Sequence, residues 1–340
     1  MITHFGLDIG AYSIKVAQIQ KDTSGYRLVR VGMADNPIGS QKPDSDTEII
    51  SLAETIKKLV VDAKINTKEV AVSLPESEVY TQVIALPKMP EDQLEQAVIW
   101  EAENVIPRPL AEVSFSWKIV NTDTLSKDEM TKILLVAAPI KIVERYTKLI
   151  KSADLDPRIM ETEIVSIGRM LKLTHPNSGS MAMVQIGRES TDVVIYRNGE
   201  VFVSRSIPTA GEALTRGITV SLGLDPKSSE EYKKTYGLSS QLEGKIASSL
   251  APVLESLSVE IKKTLHNYEQ KENNPVRLIV LAGGTVLMPG IVEYFTQKLG
   301  LEVQLADPTT IIGIDDAIKP VMKKNAPVFL VSFGLAIANS

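Results

Sequence analysis

Two stretches of this chain, FGLDIGAYSIK at residues 5–15 and MVQIGREST at residues 183–191, read as the same turn written twice. Each leaves an apolar strand, reaches x-I-G and turns back into a second strand. Laid over one another, Asp8 falls on Gln185 and Gly10 on Gly187. In both halves a third strand and then a helix follow. Such a repeat implies two similar domains facing each other across a cleft. The 340 residues suffice for two domains at roughly 100–200 residues each.

In the first half, residues 3–33 read as strands with a turn at 22–25 and residues 34–47 as a polar loop. A helix is predicted over 48–64, with Ile49, Leu52, Ile56, Leu59 and Val60 on one face, and a buried strand over 69–74. The section 77–158 has another order: strand 79–86, helix 90–104, strands near 113–121 and 132–138, helix 140–152. It reads as a small α+β insert, after which a helix at 163–173 resumes the first pattern. The second half predicts strands at 181–186, 192–196 and 201–206, with Asn198-Gly199 as a strong hairpin signal between the last two. Helices are predicted at 210–222, 227–236, 242–270 and 290–299, strands at 277–282 and 302–305, and a final buried helix over 328–340. Ile246, Leu250, Leu254, Leu257, Ile261 and Leu265 recur at helical spacing and read as a core stripe. Trp100 reads as a core aromatic on the helix 90–104.

Composition removes several function classes. There is no cysteine, hence no disulfide, thiol nucleophile or thiolate metal site. His4, His175 and His266 are scattered, which argues against a histidine metal site or a Ser-His-Asp triad. A net charge of −5 gives no electrostatic case for nucleic acid. The N-terminus has neither a basic nor an apolar signal-peptide region, and no run reaches the ~18 apolar residues of a membrane span. The expected compartment is the cytoplasm.

Three pieces carry chemistry. In the first turn, Gly10 lets the backbone approach a phosphate, Asp8 can hold Mg2+ through its waters, and Lys15 can reach phosphate oxygens. The second turn offers Gly187, Ser190 and Thr191 by the same logic. The third is LAGGTVLMPG at 281–290, a buried strand that delivers Gly283 and Gly284, against which a flat base or sugar can lie. Singly, each also reads as an ordinary turn; together they form a phosphate clamp with a base-binding edge.

These pieces, in this order, resemble the actin-like ATPase fold shared by Hsp70, sugar kinases, MreB and FtsA, an α/β fold duplicated from a ribonuclease H-like unit. Within it the chain resembles the PilM family of type IV pilus assembly proteins, which are FtsA-like, over nearly its whole length. The most specific words lie in the insert, IALPKMP at 84–90 and QAVIWEAENVIP at 96–107, with LLVAAP at 134–139 and IMETE at 159–163. The resemblance implies subdomain 1A at 1–76 and 159–178, an inserted 1C subdomain at 77–158, 2A at 179–225 and 276–340, and 2B at 226–275. It implies ATP or ADP with Mg2+ between the halves. Asp8, Gly10, Ser13 and Lys15 would face the phosphates from one side and Gly187 and Thr191 from the other. Asp8 and Gln185 would flank the metal, and Gly283, Gly284 and Thr285 would line base and sugar. Glu230 and Lys233 match the adenosine-side helix, or form a solvated helix face. Glu163 falls where the fold places the group that orients the attacking water, or is a capping or surface carboxylate. As partners the resemblance implies the N-terminal tail of a PilN-like membrane protein in a 1A/1C groove, contact with the pilus motor ATPases, and self-association. Membrane contact would be indirect, at the inner face of the cytoplasmic membrane. FtsA-like chains end in a basic amphipathic tail, and no such segment follows the last core helix here.

The second phosphate turn of this fold usually begins with Asp. Gln185 can hydrogen-bond a metal-bound water but cannot offset the cation or act as a base. Losing such an outer partner typically costs about 10–100-fold in metal affinity or activity. The expectation is a chain that holds nucleotide and hydrolyses it slowly or not at all, with Asp192 a poor substitute on its strand. An FtsA-like filament protein of cell division and a small-molecule kinase on the same fold are the competing readings.

Overall fold

The computed structural model describes residues 3–120, 130–176 and 178–338. Position 121 of one expected strand and positions 339 and 340 of the expected last helix lie outside them. The two strand–turn–strand repeats each nucleate a sheet. In the first half, β1 (Phe5–Ile9), β2 (Ser13–Asp22) and β3 (Gly25–Asp35) form an antiparallel meander. Helix α1 (Asp46–Asp62) follows, and β4 (Glu69–Leu74) returns parallel to β1. Ser45 starts α1 with a reciprocal capping box to Glu48, satisfying end amides that nothing inside the helix can reach.

Between β4 and its parallel neighbour β8 lies the insert. It comprises β5 (Tyr80–Pro87), α2 (Glu91–Val105), β6 (Val113–Ile119) and β7 (Met130–Pro139). The three strands pair antiparallel in the order β5-β7-β6 over their own core of Ile84, Leu94, Val98, Ile133 and Leu135. Helix α3 (Ile140–Ser152) follows, and its Ile142, Tyr146, Leu149 and Ile150 join the core of the first sheet.

Strand β8 (Asp156–Thr162) and helix α4 (Glu163–Thr174) lead into the second half. There β9 (Ser180–Ile186), β10 (Thr191–Arg197) and β11 (Glu200–Ile207) form the second meander. After it come α5 (Gly211–Leu222), α6 (Pro226–Tyr236) and α7 (Lys245–Glu272). Then β12 (Leu278–Ala282), α8 (Ile291–Leu299) and β13 (Glu302–Leu305) extend the sheet in parallel. The order β11-β10-β9-β12-β13 repeats β3-β2-β1-β4-β8, so the duplication read from two turns extends through both sheets. The first sheet gains one further edge, β14 (Ile312–Gly313), beside β3. Helix α9 (Lys319–Ala336) closes the chain.

Helix α9 binds the halves together. It crosses β1 so closely that a Cβ at Gly6 would lie 2.1 Å from Ser332 O, and one at Gly334 would lie 2.2 Å from Ser166 O on α4. Any side chain at either position pushes backbone from backbone. Arg169 on α4 makes two 2.8 Å bonds to Glu161 and donates to Gly334 O at 2.6 Å, fixing the same crossing.

The structure departs from the sequence reading at identifiable places. Strand β8 stands where none was expected, because Pro157 reads as a breaker; β8 is the sheet's edge, where a missing amide is tolerated. Helix α9 starts nine residues before the expected 328. Pro320 lies in its first turn, where no amide is needed, and the Pro327 carbonyl accepts from Gly283 N at 3.0 Å. Helix α7 starts at Lys245 rather than 242, because Leu242, Glu243 and Gly244 all take positive φ. Trp100 is not a core residue: it is 69% exposed. Leu94, Val98, Ala102 and Ile106 form the buried stripe at four-residue spacing, and Trp100 sits two residues off it, on the opposite side of the helix. The stripe on α7 is core, as expected.

Candidate functional site

The two turns are geometric copies. Gly10 N donates to Ser13 O at 3.1 Å, and Gly187 N donates to Ser190 O at 3.0 Å. A Cβ at Gly10 would meet Lys15 Nζ and Ser13 O at 3.0 Å each, so a glycine is what keeps this turn open. Below the first turn, Asp8 and Lys15 face each other in register and form a buried ion pair of 3.1 Å. Ser73 at the end of β4 donates to the other Asp8 oxygen at 3.5 Å. Asn36 donates to Gly10 O and Ser40 O at 2.8 Å each, tying the turn to the loop after β3.

Below the second turn the register partners are Gln185 and Asp192. Asp192 therefore does not merely point along its strand. It stands directly across from Gln185 on the same face of the sheet and is 5% exposed. The spacing carried this signal: Asp8 and Lys15 are seven apart, as are Gln185 and Asp192.

Glu163 joins the two halves. It opens α4 but does not cap it, and at 4% exposure it is no surface carboxylate. Gln41 Nε2 donates to its Oε1 at 2.8 Å, and Gln185 Nε2 donates to its Oε2. Burial pushes the Glu163 carboxyl up to about 8; the charges of Asp8 and Asp192 push the same way, against Lys15 and the Gln185 bond. Burial likewise lifts Asp192 to about 6, with a bond from Ser206 opposing it. The sequence reading missed Gln41, which lies in the polar loop and has no motif.

The second half adds a cluster around the Gly187 carbonyl. The Gly187 carbonyl accepts two hydrogen bonds, from Gly211 N at 3.1 Å and from Thr285 Oγ1 at 2.9 Å. Lys233 is buried, not on a solvated face, and donates to Gly211 O at 2.9 Å, Thr215 Oγ1 at 2.8 Å and Glu230 Oε2 at 2.6 Å. Burial lowers the Lys233 pKa, with Glu230 opposing. Burial pushes Glu230 up, but Lys233 and Thr215 outweigh it and leave the carboxyl below its ordinary value. Gly283, at φ +92°, lies against Ile186, where a Cβ would stand 2.6 Å from Ile186 O. Gly284 has open space where its Cβ would be. Thr191 is fully buried and its hydroxyl is committed to Thr209 O at 2.7 Å.

Asp8, Gly10, Ser13 and Lys15 thus form one group at the first turn, the Glu163–Gln185 pair lies within reach of the Asp8 and Lys15 charges, and Gly187, Gly211, Thr285, Lys233 and Glu230 form a further bonded group. Gln185 and Gly187, two residues apart, join them. The arrangement suits a hydrated cation. Asp8 supplies charge, while Gln185 Oε1 and Asp192 Oδ1 are buried acceptors with no hydrogen-bond partner among the described residues. Acceptors without donors match metal-bound waters, which donate only. No group of three or more His, Cys, Asp or Glu among the described residues could hold a bare ion.

The duplicated sheets, the paired glycine turns and the inserted three-stranded unit define an actin-like ATPase fold. The family model for the type IV pilus assembly protein PilM matches residues 6–340. The chain belongs to the PilM family. Among solved structures it is similar to a PilM–PilN type IV pilus biogenesis complex, at TM-score 0.87 and 25% identity, covering 99% of this chain and 98% of that one. It shares its fold with the ethanolamine utilization protein EutJ of Carboxydothermus hydrogenoformans (TM-score 0.60, 16% identity, 98% and 89% covered). MreB5 of Spiroplasma citri, solved bound to AMPPNP, shares it too (TM-score 0.54, 13% identity, 99% and 95% covered). Among curated proteins it resembles the cell division protein FtsA of Neisseria meningitidis, 23% identical over 60% of this chain and 53% of that protein. FtsA of Pseudomonas aeruginosa is 26% identical over 60% and 52%. The chain spans about half the length of these relatives. No helix among the described residues is long and apolar enough to cross a membrane.

Proposed function

We propose that this chain is a nucleotide-holding adaptor of type IV pilus assembly. ATP or ADP with Mg2+ occupies the cleft between the two sheets, and the chain turns ATP over slowly or not at all. The observation that carries the second half of this reading is the Glu163–Gln185 contact. A water-orienting carboxylate works when it is ionised and free to accept from water. Here an amide hydrogen takes one acceptor site on each Glu163 oxygen, from Gln41 and Gln185, which fixes the carboxyl's orientation, and burial favours its neutral form, which is a poor acceptor for an attacking water's proton. Asp8 would hold the metal's waters from the first half, with Gln185 contributing an uncharged acceptor from the second. Bound Mg2+ supplies charge neutralisation for the phosphates. Lys15, Gly10 and Ser13 face the phosphates from the first turn and Gly187 from the second, where Thr191, buried and bonded to Thr209 O, pins the turn rather than reaching them, and Gly283, Gly284 and Thr285 border the base and sugar.

The partner is the N-terminal tail of a PilN-like membrane protein, in a groove between the first sheet and the insert. The solved relative in a PilM–PilN complex supports a PilN-like partner; the tail and the groove are part of the proposal. Through that tail the chain sits at the cytoplasmic face of the inner membrane, within reach of the pilus motor ATPases and of other copies of itself. Calorimetric titration of the nucleotide-freed protein with Mg-ATP, and separately with a synthetic PilN N-terminal peptide, tests both halves. Saturable one-to-one binding of each is expected. A protein that takes neither is not this adaptor.

A further inference from the structure

Two residues that no phosphate motif explains meet between the two halves of the duplication. Tyr12 stands at the tip of the β1–β2 turn, two residues past Gly10. Lys234 stands on α6, next to Lys233. Lys234 Nζ donates to Tyr12 Oη at 2.9 Å and lies 4.3 Å from the centroid of the Tyr12 ring. The pair joins residues 222 apart in sequence, one from each half of the duplication. Each end is anchored. Asn36 N donates to Tyr12 O at 3.0 Å, and Asn36 also holds Gly10 O. On α6, Glu230 takes Lys233 on one oxygen at 2.6 Å and Lys234 on the other at 3.3 Å. The contact is therefore one carboxylate away from Lys233, which itself bonds the Gly211 carbonyl beside Gly187. Tyr12 is 48% exposed and the Lys234 side chain 50% exposed, so the pair can part without disturbing the core.

We propose that Tyr12 and Lys234 form a clasp over the mouth of the nucleotide cleft and set how long a nucleotide stays bound. The proposal rests on the nucleotide reading above. The ring holds the ammonium by its quadrupole and the hydroxyl holds it by a hydrogen bond, two weak attractions that hold together yet part readily. A contact of this strength suits a gate, since it slows escape without locking the site.

The test is the release of a fluorescent mant-ATP, loaded with Mg2+ and chased with unlabelled Mg-ATP in a stopped-flow instrument. Lys234→Met and Tyr12→Ala are expected to release about 10-fold faster than the native chain. Tyr12→Phe, which keeps the ring and loses the hydroxyl, falls between. Because the chain has no cysteine, a Tyr12→Cys, Lys234→Cys variant joined by a short bis-maleimide tests the converse. Linked after loading, it retains nucleotide through a desalting column, whereas the unlinked variant loses it. Native-like release from Tyr12→Ala and Lys234→Met, with nucleotide bound as tightly as before, overturns the clasp and leaves the site standing. Absence of binding by the nucleotide-freed native chain overturns the nucleotide reading and the clasp with it.

Discussion

Gln185 and Asp192 face each other across the β9–β10 hairpin at the register positions that Asp8 and Lys15 occupy on β1–β2. The first hairpin holds an ion pair there; the second holds an amide and a carboxyl. The carboxylate expected at the start of the second turn is absent from β9 and present on β10. Glu163 accepts from Gln185 as well, so a change at 185 acts on both carboxyls.

Gln185→Asp brings a third carboxylate to Glu163 and Asp192 and removes an amide donor from Glu163. Without nucleotide the variant melts lower than the native chain, because like charges in a buried site oppose one another. With Mg-ATP it releases phosphate about 10-fold faster, the lower end of the cost attached to a missing outer partner. Melting temperature and steady-state phosphate release on one preparation check both.

The buried acids make stability pH-dependent. Burial raises Glu76 to about 8, with Asp192 adding to the effect, and Glu163 to about 8, both from an ordinary 4.5. A carboxyl held above its ordinary value binds its proton more tightly folded than unfolded. The stability this contributes is complete below the ordinary value and is lost as pH rises towards about 8. The melting temperature of the nucleotide-free chain should fall between about pH 5 and pH 8.5, and Glu163→Gln or Glu76→Gln should flatten the fall. A native profile already flat over that range contradicts the buried placement of these acids.

Gly6→Ala has no room. The added carbon would stand 2.1 Å from Ser332 O, so α9 must move off β1. Overpacking of this kind costs about 1–3 kcal/mol or more, and chemical denaturation reads it directly.

Trp100→Ala should leave stability within about 0.5 kcal/mol of native, as for other exposed positions, where a core Trp would cost about 3–5 kcal/mol. Urea midpoints for the two chains separate these outcomes.

The duplication was legible because hydrophobic alternation and x-I-G survive in both halves, and both sheets follow that repeat. The glycines of the two turns were legible as turn positions for the same reason, since a turn that must lie close to another atom leaves glycine as its mark. What escaped had no local mark. Gln41 reaches Glu163 from a loop 122 residues away, a contact only the tertiary fold creates. Strand β8 was hidden by Pro157, whose missing amide matters only if the strand has neighbours on both sides. Trp100 lies two residues off the four-residue stripe that starts at Leu94, which sets it on the solvent side. The seven-residue spacing that Asp8 and Lys15 share with Gln185 and Asp192 places Asp192 opposite Gln185.

An adaptor of the proposed kind holds nucleotide without hydrolysing it. The most direct test is the melting temperature of the nucleotide-freed chain with and without Mg-ATP, with phosphate followed for hours in the same samples. At about 100 times its dissociation constant, a ligand should add roughly 2.7 kcal/mol to stability. That stabilisation is expected with phosphate near background. Stabilisation accompanied by brisk phosphate release would contradict it, because Gln185 and the occupied Glu163 could then not be what restrains the chemistry.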